Sequence, residues 1–471
     1  MGDFFYQKKI VDEDRKTIIK IVLYIKNLEE TKKKLEQEKN QLSYLKQEID
    51  KQSQILGQQI IETRQKIAQL SALQQELIAK KFAANPIPRS AGTSLGGCSP
   101  DYDPINNQVK KDPGFSPKFG FFSIGAPNKT GMNQYGAYGR AKAGQNYRDI
   151  LSSYYNNIRF ECRNFKDNKI KVQNYGELNI KDYLKGLSEM HRDRTDVYEA
   201  FKAQIVAASS YAYAYTNGGE REICSTESCQ VYRGKDDHFV LWNQAVDEVN
   251  SECGDGALVM VSNDTNEVIT AWYSSTHGGV MLKSGEIGWS DKPWTKHGFD
   301  AASSINSLRD LLMNAYDGPN HANSPWFYCN WGYRSEYNNT AWLKESEVLE
   351  IVNALILFKL DNSTLSHLSQ LDKNIPDTWD ENRVRQEIKN RGGQYFSSIS
   401  SIEVVWDGTG ISHTMIIKGD IGEKQFNAQE FKDIFNVRAR GNLIIVPSCL
   451  ITSSDQVGRC KNYALFDVIV K

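Results

Sequence analysis

Glu189 closes the charged end of DYLKGLSEM, Asp182 to Met190, just ahead of a segment with a clear period. There Phe201, Ile205, Ala208, Tyr211 or Ala212, and Tyr215 recur at three to four residues. That spacing predicts a helix from Tyr198 with one buried face. A carboxylic acid at a helix end, against aromatic side chains, is disposed to a raised pKa and so to general-acid work. The bland alternative is one more surface charge in a chain that is 24% charged residues. A second unusual stretch, TGMNQYGAYGRAKAG at 130–144, carries Gly131, Gly136, Gly139 and Gly144 beside Tyr135 and Tyr138. Glycine at this density allows close backbone approach. Tyrosine offers a flat apolar face with a polar tip, which suits sugar rings. A tightly packed glycine-rich helix entry is the structural alternative. The eight cysteines, at 98, 162, 224, 229, 253, 329, 449 and 460, include no CxxC pair, and the seven histidines are scattered. No clustered metal site is visible.

The elements that must position these groups fall into three parts. At 471 residues the chain exceeds one ordinary domain. Every seventh residue from Leu28 reads Leu28, Leu35, Leu42, Ile49, Leu56, Thr63, Leu70 and Leu77, in a proline-free segment rich in Lys, Glu and Gln. This predicts a coiled-coil stalk over 1–81. The second seam is weaker, with Lys32, Lys39 and Lys46 before Ile60 and Ile67, and Gly57 is a weak point. Residues 82–120 hold Pro86, Pro88, Pro100, Pro104, Pro113 and Pro117, which predicts an extended linker. In the body, 121–471, helical patterns mix with strand patterns: EVITAWYSS (267–275), IEVVWDG (402–408), TMIIKGDI (414–421) and NLIIVPSCLI (442–451). They do not alternate strictly, which favours an α+β fold, in one body or two lobes, over a doubly wound sheet. A net charge of −1 gives no basic field for nucleic acid. The start, MGDFFYQKKIVDEDRK, is charged where a signal peptide needs an apolar core, and IIKIVLYI at 18–25 is too short to span a bilayer.

The two chemical stretches resemble the SpoIID/LytB family of bacterial cell-wall proteins. The family pattern YLxGVxxxEMP is met by Tyr183, Leu184, Gly186, Glu189 and Met190. EALKAQAVAARTYA is met by Glu199, Ala200, Lys202, Ala203, Gln204, Val206, Ala207, Ala208, Tyr211 and Ala212. GHGVGMSQYGAYGMAxxG is met by Gly131, Met132, Gln134 to Gly139, Ala141 and Gly144. Two shorter stretches, CSTESCQVYRG (224–234) and AWYSSTHGGV (271–280), look like the family's CxxxxCQVYxG and AxxxSTSGGxT. Together these cover most of 120–470. The motif order differs, because GMNQYGA opens the body where it is expected to close it. The tail at 402–435 looks like the strands and helix that normally precede that motif. The resemblance therefore implies a circular permutation, with the new termini near the linker.

What the resemblance implies is a SpoIID-like α+β body that cleaves peptidoglycan glycan strands, with Glu189 as the catalytic acid. Hydrolytic glycosidases need two flanking carboxyls, whereas a lytic transglycosylase can use one group twice. It further implies Gln134, Tyr135 and Tyr138 lining a groove, Ser275, Thr276 and His277 approaching from the opposite wall, and Glu189 partly exposed in a long cleft. A non-catalytic wall-binding module that stimulates an amidase is the alternative within the same family. Departures stand at Asn128 for the family's His, Ser209 for its Arg and His191 for its Pro. Ser228 occupies a position where some relatives carry a zinc-binding His, leaving Cys224 and Cys229 too few partners for zinc. A disulfide between them or to other cysteines is expected in an oxidising wall compartment. No cofactor and no metal is called for. An extracytoplasmic location is expected, with an export segment ahead of Met1. The stalk is expected to pair with another copy, with an amidase- or divisome-type partner, or with the body.

Overall fold

The computed structural model describes residues 2–68, 72–93, 98–448 and 463–471. Leu70, Cys449, Cys460 and the 449–451 end of NLIIVPSCLI lie outside the described residues, as do the side chains at 60, 63 and 67. The fold is α+β, in two compact units, Met1–Ala68 and Gln69–Lys471. No described helix is long and apolar enough to cross a membrane.

The first unit is a single helix, α1 (Gly2–Ala68), that runs through Gly57. Leu28, Leu35, Leu42, Ile49 and Leu56 are all exposed along it. These five seam positions are exposed among the described residues, and apolar surface left in water is unfavourable.

The second unit begins with α2 (Ala72–Ala84), which carries Leu77. Its Gln74 amide donates to the Leu365 carbonyl at 2.8 Å, and its Lys81 ammonium donates to the Asn436 carbonyl at 3.1 Å. Burial pushes the Lys81 pKa down to about 7. The central strand, Lys118–Ile124, is buried at all seven positions and joins an antiparallel sheet with Tyr328–Trp331, Leu343–Lys344 and Phe466–Val470. Alternation along it sends Phe119 and Phe121 into one core and Phe122 and Ile124 into another. The Phe119 side is built from the helix Glu345–Leu360, the helix Ala428–Arg438 and a three-stranded meander, Ile399–Trp406, Ser412–Gly419 and Gly422–Asn427.

Two strand expectations need correcting. EVITAWYSS is a strand only at Tyr273–Ser274, and the described part of NLIIVPSCLI contributes one isolated bridge, Ile444 to Trp331. Both segments are apolar because they are packed on several sides, not because they pair along their length.

The largest core surrounds a helix of 19 residues, α6 (Tyr198–Thr216). Phe201, Ile205, Ala208 and Ala212 are wholly buried, while Tyr215 lies exposed near its end. Around α6 pack α3 (Gln134–Lys142), α4 (Tyr147–Tyr154), α7 (Val240–Val249) and the strand Ala257–Ser262. Three disulfides occur among the described residues: Cys98–Cys329, Cys162–Cys253 and Cys224–Cys229.

The stretch read as a linker is not loose where it is described. Pro88, Ser90 and Ala91 are buried, and Ala91 belongs to the α6 core.

Candidate functional site

The glycine-rich stretch and the STHGG stretch are laid side by side. Met132–Asn133 pairs in parallel with Tyr273–Ser274, and the Tyr135 amide donates to the Ser275 carbonyl at 3.0 Å. Gly131 makes this approach feasible: its φ is +78°, and a Cβ there would stand 1.9 Å from the Trp272 carbonyl oxygen. Asn133 then caps α3, its side chain accepting from the Gly136 amide at 3.0 Å. This cap places Gln134 at the first position of the helix.

Glu189 arrives from the other direction. A short helix, α5 (Ile180–Lys185), ends at Gly186, and the chain then pairs with the CQVY segment through the Leu187–Tyr232 bridge. The Ser188 amide donates to the Val231 carbonyl at 2.8 Å, and the Val231 amide donates to Glu189 Oε1 at 2.6 Å. Burial pushes the Glu189 carboxyl up to about 7, against the Val231 amide bonded to it and the neighbouring Ser90 and Gln134 side chains, which favour the charged form. The nearby Glu227 charge adds to the rise. Glu227 sits in the loop closed by the Cys224–Cys229 disulfide.

Aromatic side chains complete the surroundings. The Tyr183, Tyr211 and Tyr273 hydroxyls all feel the Glu189 charge, and each is raised chiefly by its own burial. Gln230 ties two of them together. Its Oε1 accepts from Tyr183 at 2.7 Å, and its amide donates to the Tyr273 hydroxyl at 2.8 Å. On α6, Gln204 Oε1 accepts from Gln134 at 3.0 Å, while its own amide nitrogen is buried with no partner among the described residues. A carboxyl with a pKa near neutrality, among donors and aromatic faces, is equipped to give and retake a proton.

Residues 167–271 match the family model SpoIID, described as Stage II sporulation protein. That segment belongs to the SpoIID family. The match supports a protein related to sporulation and the cell wall. No curated protein and no solved structure matches the chain. The SpoIID segment holds α5, Glu189, α6, Gln230 and Glu227. Gln134 and Ser275 lie outside it and pack against the same place.

Glu189 and the glycine-rich stretch lie together, with Gln134 beside Glu189 and the His191 amide donating to the Tyr138 hydroxyl at 3.0 Å. Exposure differs from the sequence expectation. Glu189 is only 3% exposed and Gln134 is 0% exposed, so no open cleft meets the carboxyl in this conformation. Tyr135 and Tyr138 are buried too, set edge-on to each other, with Tyr135 also edge-on to Trp326. Ser275 reaches the site, but Thr276 and His277 turn away from it. Thr276 donates to the buried Asp317 at 2.6 Å, and the His277 and Gly278 amides donate to the same carboxylate. The His277 ring has no partner among the described residues, and its burial lowers its pKa to about 3.

The departures have structural consequences. The Ser209 hydroxyl turns back onto the Ile205 carbonyl at 2.8 Å, and Asn128 adopts φ +67°. The sequence reading assigned no role to Glu227, Gln204, Gln230, Tyr183 or Tyr273. The CQVY and KAQ patterns already contained Gln230 and Gln204, but only the folded chain shows that Gln204 bonds Gln134 and Gln230 joins Tyr183 to Tyr273.

Proposed function

We propose that this chain cleaves peptidoglycan glycan strands by lytic transglycosylation, with Glu189 as the single acid and base. The observation that carries this reading is the Glu189 carboxyl, pushed up to about 7 within a SpoIID segment. Protonated Glu189 gives its proton to the bridging glycosidic oxygen as the C1–O bond breaks. As carboxylate it then takes the proton of the same sugar's C6 hydroxyl, whose oxygen bonds to C1 and closes a 1,6-anhydro ring. The proton count balances, and neither water nor a second carboxyl enters. Gln134, Tyr135, Tyr138 and Ser275 are the groups offered to sugar hydroxyls and ring faces. Three disulfides suit a location outside the cytoplasm, in or on the cell wall. We read the early GMNQYGA and late meander as a circular permutation of the SpoIID body, a reading supported by the pairing of Met132–Asn133 with Tyr273–Ser274.

The burial of Glu189 favours one alternative, a wall-binding module that stimulates an amidase without cutting glycan itself. Purified peptidoglycan incubated with the parent protein and with Glu189→Gln separates the two. Anhydromuramyl products from the parent alone support cleavage. Equal release from both removes Glu189 from the reaction, and sedimentation with peptidoglycan without soluble product favours the binding module.

A further inference from the structure

Two of the groups assigned to the glycan, Gln134 and Ser275, are already occupied by this chain's own segment Pro88–Thr93. The Ser275 hydroxyl donates to the Pro88 carbonyl at 2.6 Å, and the Ser275 amide donates to the Arg89 carbonyl at 2.9 Å. The Ser90 hydroxyl donates to the Glu189 carbonyl at 2.7 Å, as does the Gly92 amide at 3.0 Å. The Ala91 amide donates to Gln134 Oε1 at 2.7 Å, and the Thr93 hydroxyl donates to Glu227 at 2.6 Å. A tight turn from Ser90 to Thr93, closed by the Thr93 amide on the Ser90 carbonyl at 3.1 Å, brings these contacts to one point. Gly92 admits the approach, since a Cβ there would stand 2.3 Å from the Ser188 carbonyl oxygen.

We propose that Pro88–Thr93 is an autoinhibitory strap that fills the glycan groove over Glu189 and must leave before a strand can enter. It covers the acid, takes the hydrogen-bonding groups of Gln134 and Ser275, and bridges to Glu227. Arg89, Gly92 and Thr93 are only half-buried, so the cover is a single chain thick. Small side chains and backbone amides make most of its contacts, and Ala91 alone joins the hydrophobic core. In sequence the strap follows α2 (Ala72–Ala84), which is tied to the body by hydrogen bonds from Gln74 and Lys81 and by Phe82 packed on the core, with Asn85 just beyond it bonded to the Asn442 carbonyl.

The cleavage arm of the test rests on the proposed reaction; the binding and exchange arms do not. In the full-length protein, Gly92→Ala forces the turn off the Ser188 carbonyl, and Ala91→Arg drives a charged chain out of a buried position. Hydrogen exchange at the amides of Ala91, Gly92 and Val231 reports strap release. Sedimentation with purified peptidoglycan reports binding, and anhydromuramyl release reports cleavage. A groove open only part of the time weakens apparent affinity by that fraction, so release should raise binding on the order of tenfold or more. Faster exchange with stronger binding and cleavage supports the strap. Faster exchange with stronger binding and no cleavage supports the strap and removes the proposed reaction. Faster exchange with unchanged binding overturns the strap. Parent-like exchange in both variants, or loss of cooperative melting in both, also overturns it, because the segment is then a fixed wall of the fold.

Discussion

Replacing Glu189 by Gln should stabilise this protein at neutral and alkaline pH while leaving it unchanged in acid. The buried carboxyl has its pKa moved from the ordinary 4.5 to about 7, chiefly by desolvation. The folded state therefore holds its proton more tightly than the unfolded state does. Below pH 4.5 both states are protonated and the group contributes no penalty. Between 4.5 and 7 the unfolded chain ionises while the folded one does not, and stability falls as pH rises. Above 7 the full penalty is present, about 3 kcal/mol from the separation of the two values. Gln keeps an oxygen for the Val231 amide, which sits 2.6 Å from Glu189 Oε1, so the exchange leaves that donor satisfied. Urea unfolding at pH 4 to 8, followed by tryptophan fluorescence, suits the measurement because Trp242 and Trp326 share the core with Met190. The expected result is coincident curves at pH 4 and a lead for Glu189→Gln of about 3 kcal/mol at pH 8. A pH-independent difference, or a parent that gains stability on the variant as pH rises, refutes the burial argument.

Other outcomes follow from the same geometry. Asp317→Ala removes the carboxylate that holds Thr276, His277 and Gly278, leaving buried donors without an acceptor; the expected loss is about 3 kcal/mol by chemical denaturation, and Asp317→Asn should recover part of it. Pairing of α1 copies would cover its exposed seam, so the full chain should sediment as a weak, salt-sensitive oligomer, with Lys32, Lys39 and Lys46 beside the seam, while residues 69–471 should not oligomerise. Monomers from both at high concentration would assign the seam to a different partner.

Two helices of this protein were legible from spacing, though the heptad run read as one stalk to residue 81 is divided between α1 and α2. Apolar residues at three to four positions announced α6, and the proline-free heptads announced α1, because local periodicity decides which face of a helix needs cover. Glu189, Gln134 and the CQVY cysteines could be singled out by residue type and motif. Strand extent was less legible: residues 267–275 and 442–448 are apolar through packing on several sides, and pairing partners far along the chain decide whether such a run becomes a strand. What stayed out of reach was the state of the acid. Its pKa and access depend on Val231, 42 residues downstream, and on Ser90, 99 residues upstream. Desolvation is a property of the folded surroundings, so no local pattern around SEM encodes it. Tertiary structure alone turned a proline-rich stretch that reads as a spacer into the cover of the site, through the close contact of Gly92 with the Ser188 carbonyl.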